Sequence, residues 1–309
     1  MDPRHLVQLA GILEHGSISQ ASRHLHLTQP TLTHNMQTLE MQAGGRLFER
    51  SRFGVRSTPL GEMLAREGRA IARRLQDAAE VTARHRGGLR NTVRVGTGPL
   101  VGAALLPGLT QELLLRHPHT HLSLQSDRPH LLVDLLVDGR LDLVIAPSWL
   151  DRPPPGVERE LLVPDDLGVF CGASHPLAAA GALSAEASAG QGWLSLGTAS
   201  PFDQHVREML DEAGIATPRT EITALGDAFM LLRILAQGAH LAVLPRFPLR
   251  VLQPYFPVVE LALSAAPRPR NIYLWCRSTL LEDPGYVAIK QTILRHAQGQ
   301  RTSNGTGPS

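Results

Sequence analysis

Lysine is almost missing from this 309-residue chain, in which Lys290 stands alone. Its positive charge is carried by arginine, the side chain suited to forked contacts with phosphates and guanine edges. Cysteine is scarce as well. Cys171 and Cys276 lie far apart and match no metal or redox spacing, so structural thiols in a reduced compartment are expected. No apolar run approaches the ~20 residues that cross a bilayer, and no basic start leads into an apolar segment. A soluble, cytoplasmic protein of two or three domains is expected, with no membrane partner. Enzyme signatures are missing too: no H-E-x-x-H, no G-x-S-x-G and no P-loop. His117, His119 and His121 alternate around Pro118, a spacing open to a metal site or to a helix end followed by a strand start. The second reading is favoured, so no metal, no cofactor and no catalysis are expected.

What is present is unevenly spread. Residues 1–90 hold 13 arginines and 8 acids, a net of +5, and the remainder nets −3. That asymmetry suggests nucleic acid at one end and a different partner at the other. The basic end reads as helices. "PRHLVQLAGILEHG" puts Leu6, Leu9, Ile12 and Leu13 on one face and stops at Gly16. Ser17 caps the next helix, with Gln20 completing an S-x-x-Q box, and Ala21 and Leu25 face inward. Thr28 caps a third, with Pro30 in its first turn and Leu32, Met36, Leu39 and Ala43 in one stripe. A helix-turn-helix is expected between residues 18 and 43.

The polar face of the third helix carries Gln29, Pro30, Thr31, Thr33, His34, Asn35 and Gln37, and neither Lys nor Glu. Short donors, acceptors and methyl groups match base edges in a major groove, whereas a merely solvated face draws on the better helix formers. "RLFERSRFGVRST" then reads as a hairpin around Phe53-Gly54, with Arg46, Arg50, Arg52 and Arg56 spread along it. Such a wing reaches phosphates or the minor groove.

Together, "GSISQASRHLHLTQPTLTHNMQTLE" and "GGRLFERSRFGVRSTPLGE" resemble the DNA-binding segment of LysR-type transcriptional regulators. Ala21, Leu25, Gln29-Pro30, Leu32, Leu39-Glu40, Leu47-Phe48, Arg50, Thr58 and Gly61 carry the resemblance. It extends more weakly to "LLVDGRLDLVIAP" at Leu135, "HPLA" at His175 and "GAHLAVLP" at Gly238. The resemblance implies that Thr28, Gln29, Pro30, Thr31, Thr33, His34 and Gln37 address the groove of double-stranded DNA, and that Arg50 and Arg52 grip its backbone. His34 stands where the family commonly has Arg.

A long helix is expected from Pro59 to Gly87-Gly88, with Leu64, Gly68, Ile71, Leu75, Ala78 and Thr82 at the 4-3 spacing of a packing seam. It either lies along its own domain or packs on a second copy. The seam favours the copy, and the resemblance implies a homodimer through this helix, a homotetramer beyond it, and RNA polymerase as a further partner. "RHRGGLRN" follows as a hinge.

Beyond it, strands and helices alternate in an α/β pattern. The expected fold is a winged helix-turn-helix (1–58), a linker helix (59–88) and a two-lobed α/β effector domain (89–298) resembling type 2 periplasmic binding proteins. Lobe 1 takes about 92–156 and 268–298, lobe 2 about 157–267, and 299–309 form a disordered tail. Ligands in such sheets bind outside the carboxyl ends of strands. The strand ends nominate Thr97, Gly98, Pro99, Leu100, Ser126, Arg128, Pro147, Thr198, Phe202, Thr223 and Phe247 for a small-molecule co-inducer, with Arg246 as a second candidate charge. Gly96-Thr97-Gly98-Pro99 opens a helix whose free N–H groups favour an anion, although the same residues also make an ordinary tight turn. Family members that bind small carboxylates often have Ser or Thr where Leu100 stands. The expected function is an effector-controlled, sequence-specific DNA-binding regulator; the alternative is a cytoplasmic solute-binding or carrier protein without specific DNA recognition.

Overall fold

A computed structural model describes residues 1–51, 54–85, 91–197, 202–215, 218–224 and 227–304, with the side chains of 50, 76–77, 80–85, 91 and 301–304 outside the description. Two compact units are present, divided near residue 91.

In the first unit, local signals set the helices. Helix α1 (Pro3–His15) begins at Asp2, which accepts from Arg4 N at 2.8 Å, and ends at Gly16 with φ 63°. Ser17 caps α2 (Ile18–His24), and Thr28 caps α3 (Gln29–Ala43), accepting from Thr31 N at 3.3 Å. Both caps fall where the sequence puts them. Leu9, Ile12, Ala21, Leu32, Met36 and Leu39 fill the space between the three helices. Strands β1 (Phe48–Ser51) and β2 (Gly54–Ser57) form the expected antiparallel wing. Gly54 is needed there: at φ 117° a Cβ would lie 2.6 Å from Gly16 O, which also accepts from Val55 N at 2.8 Å.

Thr58 starts α4 (Pro59–His85), accepting from Gly61 N at 3.0 Å. Half of the expected seam is used within the unit itself. Leu64 and Ile71 pack on the three-helix core, and Gly68 lies so close to α1 that a Cβ would sit 2.0 Å from Leu6 O. Leu75 is 64 % exposed and Ala78 is exposed, while the Thr82 side chain and most of the hinge lie outside the described residues.

The second unit has two sheets. In chain order come β3 (Asn91–Thr97), α5 (Pro99–Arg116), β4 (Thr120–Ser126), α6 (Pro129–Val137), β5 (Leu143–Pro147) and β6 (Val157–Val163). Then follow β7 (Leu167–Gly172), β8 (Ala182–Leu183), α7 (Ala185–Ser188), β9 (Gly192–Ser195), α8 (Asp203–Glu212), β10 (Arg219–Thr223) and α9 (Ala228–Gln237). The last are β11 (His240–Pro245), α10 (Arg246–Leu252), β12 (Val258–Leu263), β13 (Ile272–Arg277) and α11 (Pro284–Asn304). Lobe 1 is the sheet β4-β3-β5-β13-β6, and lobe 2 is β10-β9-β11-β7-β12-β8.

Two boundaries differ from the sequence reading. Strand β6, expected to open lobe 2 at residue 157, pairs antiparallel with β13 from Val157↔Arg277 to Val163↔Ile272 and so completes lobe 1. Its partner lies more than a hundred residues downstream, where no local pattern reveals it. The disordered tail expected from 299 does not begin there, since α11 runs on to Asn304, and residues 305–309 lie outside the described residues.

The lobes interlock. Leu100 of α5 belongs to a lobe 2 cluster with Phe170 and Leu231, and Phe247 of α10 to the lobe 1 cluster with Ile272 and Leu274. Two crossovers run side by side between the sheets: Arg270 N donates to Asp165 O at 2.7 Å, Leu167 N to Arg268 O at 3.3 Å, and Asp165 N to Asn271 Oδ1 at 3.2 Å.

Candidate functional site

The polar face of α3 is built from α2 as much as from α3. Thr28, Gln29, Pro30, Thr31, His34 and Gln37 are exposed and Thr33 is half-buried, on the side away from Leu32, Met36 and Leu39. Ser19 Oγ donates to Gln29 Oε1 at 2.9 Å, which fixes the side chain at the start of the helix. The Thr28 and Thr31 hydroxyls share a 2.7 Å hydrogen bond. Asn35 does not join the face: its Nδ2 donates to Gln8 Oε1 of α1 at 2.9 Å. Glu40 is structural as well, accepting from Leu47 N at 2.9 Å. On the wing Arg46 and Arg56 are exposed, while Arg52 and the side chain of Arg50 lie outside the described residues. Short neutral hydrogen-bonding groups on an exposed helix start, with arginines beside them, have the chemistry to read base edges and neutralise phosphates.

The second unit does not gather its candidates into one cavity. Thr97, Pro99 and Ser126 border an open depression of about 430 Å³ on lobe 1. Thr97 is buried, its hydroxyl donating to Gly98 O at 3.3 Å, and Gly98 is buried at the start of α5. Phe202 belongs to a different cavity, in lobe 2, with Trp193, Val206 and Arg270. Leu100 and Phe247 are held in the packing between lobes, and Pro147 is buried in β5 opposite Ile272. Arg128 and Thr223 are exposed at the ends of their elements, and Thr198 lies outside the described residues. Arg246 is engaged at the crossovers, where Nη1 meets Asp166 Oδ1 at 3.0 Å and Nε donates to Glu260.

Residues 86–298 match the family described as LysR substrate binding domain, and residues 3–62 match the bacterial regulatory helix-turn-helix protein, lysR family. The chain belongs to the LysR family. Among curated relatives, the transcriptional activator protein LysR of Escherichia coli is 29 % identical over 213 residues, covering 68 % of this chain and 67 % of that protein. Other curated transcriptional regulators are matched over less, and the chain spans about half the length of several of them, from 45 % to 57 %. Solved structures share the fold over nearly the whole chain. Full-length CbnR complexed with its target DNA has TM-score 0.60 at 20 % identity, covering 97 % of this chain and 100 % of that one. LysG from Corynebacterium glutamicum with bound effector Arg has TM-score 0.65 at 19 % identity, covering 97 % and 99 %.

Within this LysR-family chain, sequence reasoning missed Ser19 and Arg270. Ser19 lies ten residues from the glutamine it holds, and Arg270 reaches its cavity from a crossover, so neither has a signal in local spacing. A third missed residue is Asp165, fully buried, whose Oδ1 accepts from Phe247 N at 2.7 Å and Asp166 N at 2.9 Å. Burial pushes its carboxyl up to about 6, against the opposing pull of those donors and of Arg270.

Proposed function

We propose that this protein is a sequence-specific DNA-binding regulator of transcription, controlled by a small molecule bound in its two-lobed domain. The observation that carries the reading is the exposed start of α3, where Gln29 is held by Ser19 beside His34 and Gln37. Double-stranded DNA is its partner. Two copies joined through the exposed end of α4, at Leu75 and Ala78, present two such helices to half-sites one turn apart. Assembly beyond the dimer to a homotetramer and engagement of RNA polymerase belong to the same reading, as does a cytoplasmic location. CbnR in complex with its target DNA and LysG with bound arginine support the two kinds of partner. The role assigned is regulatory, with no catalytic step. A solute carrier would have no use for a base-matching face held in place by a neighbouring helix.

Gel shifts on the DNA upstream of the protein's own gene, with salt varied, test this. A specific reader retains that duplex against excess random DNA, and its affinity falls with log salt according to the phosphates contacted. Equal competition by random DNA at every salt concentration would contradict the reading.

A further inference from the structure

Lobe 2 encloses a cavity of about 230 Å³ between α8 and the sheet. Its walls are largely apolar: Trp193 of β9, Phe202 ahead of α8, Val206 and Leu210 of α8, and Val243 of β11. The volume is below the roughly 300–1,000 Å³ typical of drug-sized sites, so the ligand it fits is small.

Among the described residues two cations reach this cavity, and they differ. Arg207 is a mostly exposed rim residue paired with Asp203 at 2.9 Å. Arg270 comes from the second crossover, largely buried, with the Phe202 ring 5.0 Å from its guanidinium carbon. Its Nη1 has no hydrogen-bond partner among the described residues, and Asp165 Oδ2 lies 3.9 Å away, too far for a hydrogen bond. Burial pulls Arg270 down to about 10 while Asp165 pulls it back up. A buried guanidinium N–H without an acceptor is costly. A carboxylate arriving from the cavity supplies charge-assisted acceptors in the forked geometry that Arg matches. Among the described residues a second negative charge on the ligand has no buried cation of its own, and Asp165 and Asp203 oppose it.

We propose that this cavity is the regulator's ligand site and selects a small monocarboxylate with an apolar body, the carboxylate held by Arg270 and the body packed against Trp193 and Phe202. The proposal rests on the reading of the two-lobed domain as an effector receptor. It also gives a route outward from the site, because the side chain that meets the ligand belongs to a crossover hydrogen-bonded to Asp165.

Trp193 makes the test direct. The full-length protein is titrated with benzoate, hexanoate, benzamide, phthalate and inorganic phosphate while tryptophan emission is followed. Benzoate or hexanoate should saturate in the millimolar range or below, with benzamide and phthalate at least ten-fold weaker and phosphate silent. The signal should vanish in Trp193→Phe, and binding should be lost in Val206→Phe, which adds bulk to the cavity wall and keeps the arginine at 270. Arg270→Gln should bind benzoate no better than benzamide. Because that variant leaves Asp165 without its counter-charge, the acid-to-amide ratio in the unaltered protein stands as an independent arm. Equal affinity for benzoate and benzamide, a signal that survives in Trp193→Phe, or no saturation by either acid would each overturn the proposal. Specific DNA binding measured on the same preparation separates the two ideas: if it persists while the acids fail, only the carboxylate site falls.

Discussion

The N-terminal unit and the α/β domain differ in how consistently a side-chain cap starts their helices. In the first, Asp2, Ser17, Thr28 and Thr58 each accept a backbone N–H of the helix they begin. In the second, Ser184, Asp227 and Asp283 do the same for α7, α9 and α11, but α5, α8 and α10 begin without a side-chain cap and are held by packing and by distant contacts, such as Asp165 accepting from Phe247 N across 82 residues. The first unit caps all its helices locally, whereas the second combines local caps with long-range contacts. The difference suits their proposed roles: a helix that offers hydrogen-bonding groups to DNA must be rigid before it meets the groove, whereas lobes that respond to a ligand need contacts that can be rebalanced.

The largest expected effect breaks the first unit where α4 meets α1. Gly68→Ala places a Cβ against Leu6 O, and backbone cannot yield as a side chain does. We expect a loss of more than about 3 kcal/mol in urea unfolding, with DNA binding abolished. A loss under about 1 kcal/mol would mean that the two helices can slide apart at little cost.

Next comes the long-range contact in the second unit. The folded carboxyl of Asp165 titrates near 6 and its unfolded counterpart near 3.8. The folded state therefore holds its proton more tightly, and stability from this group falls as pH rises from about 4 to 6. Relative to Asp165→Asn, the unaltered protein should gain up to ~3 kcal/mol over that window as pH is lowered, at 1.36 kcal/mol per unit. Parallel pH profiles for the two proteins would show that the carboxyl is not desolvated at the crossover.

Smaller effects sharpen the contrast. Thr28→Ala removes one local cap and should cost about 1 kcal/mol in thermal unfolding of the first unit. Leu75→Arg, on the exposed half of α4, should change stability of an isolated chain by less than about 0.5 kcal/mol yet halve the mass in sedimentation. An unchanged mass would remove α4 as the dimer contact.

The same contrast explains what could be read from sequence alone. Gly16, Ser17, Thr28 and Gly54 act within a few residues of their own positions or at a turn, and each stands where its chemistry predicts. The strand at 157–163 reads from sequence as the start of lobe 2 but pairs in lobe 1, because its partner β13 is remote in sequence. Leu64 and Ile71 have the right spacing for a seam, but spacing does not say whether the other side is α1 or another chain. Leu100 and Phe247 are at strand ends, as ligand-lining residues are, and the lobes use them on each other. Asn35 shares the polar face in sequence yet bonds Gln8, since the spacing along a 15-residue helix does not reveal which polar side chain turns back to its own unit.

That last distinction supplies the most direct measurement. Gln29 and Asn35 are amides on one helix, the first held outward by Ser19 and the second engaged inward by Gln8. Fluorescence anisotropy on the specific duplex and on a scrambled one, at matched salt, compares Gln29→Ala with Asn35→Ala. Gln29→Ala is expected to lose about 1–3 kcal/mol on the specific duplex and almost nothing on the scrambled one, while Asn35→Ala leaves the ratio between duplexes unchanged. If Gln29→Ala leaves that ratio intact, or Asn35→Ala collapses it, the face assigned to DNA is the wrong one.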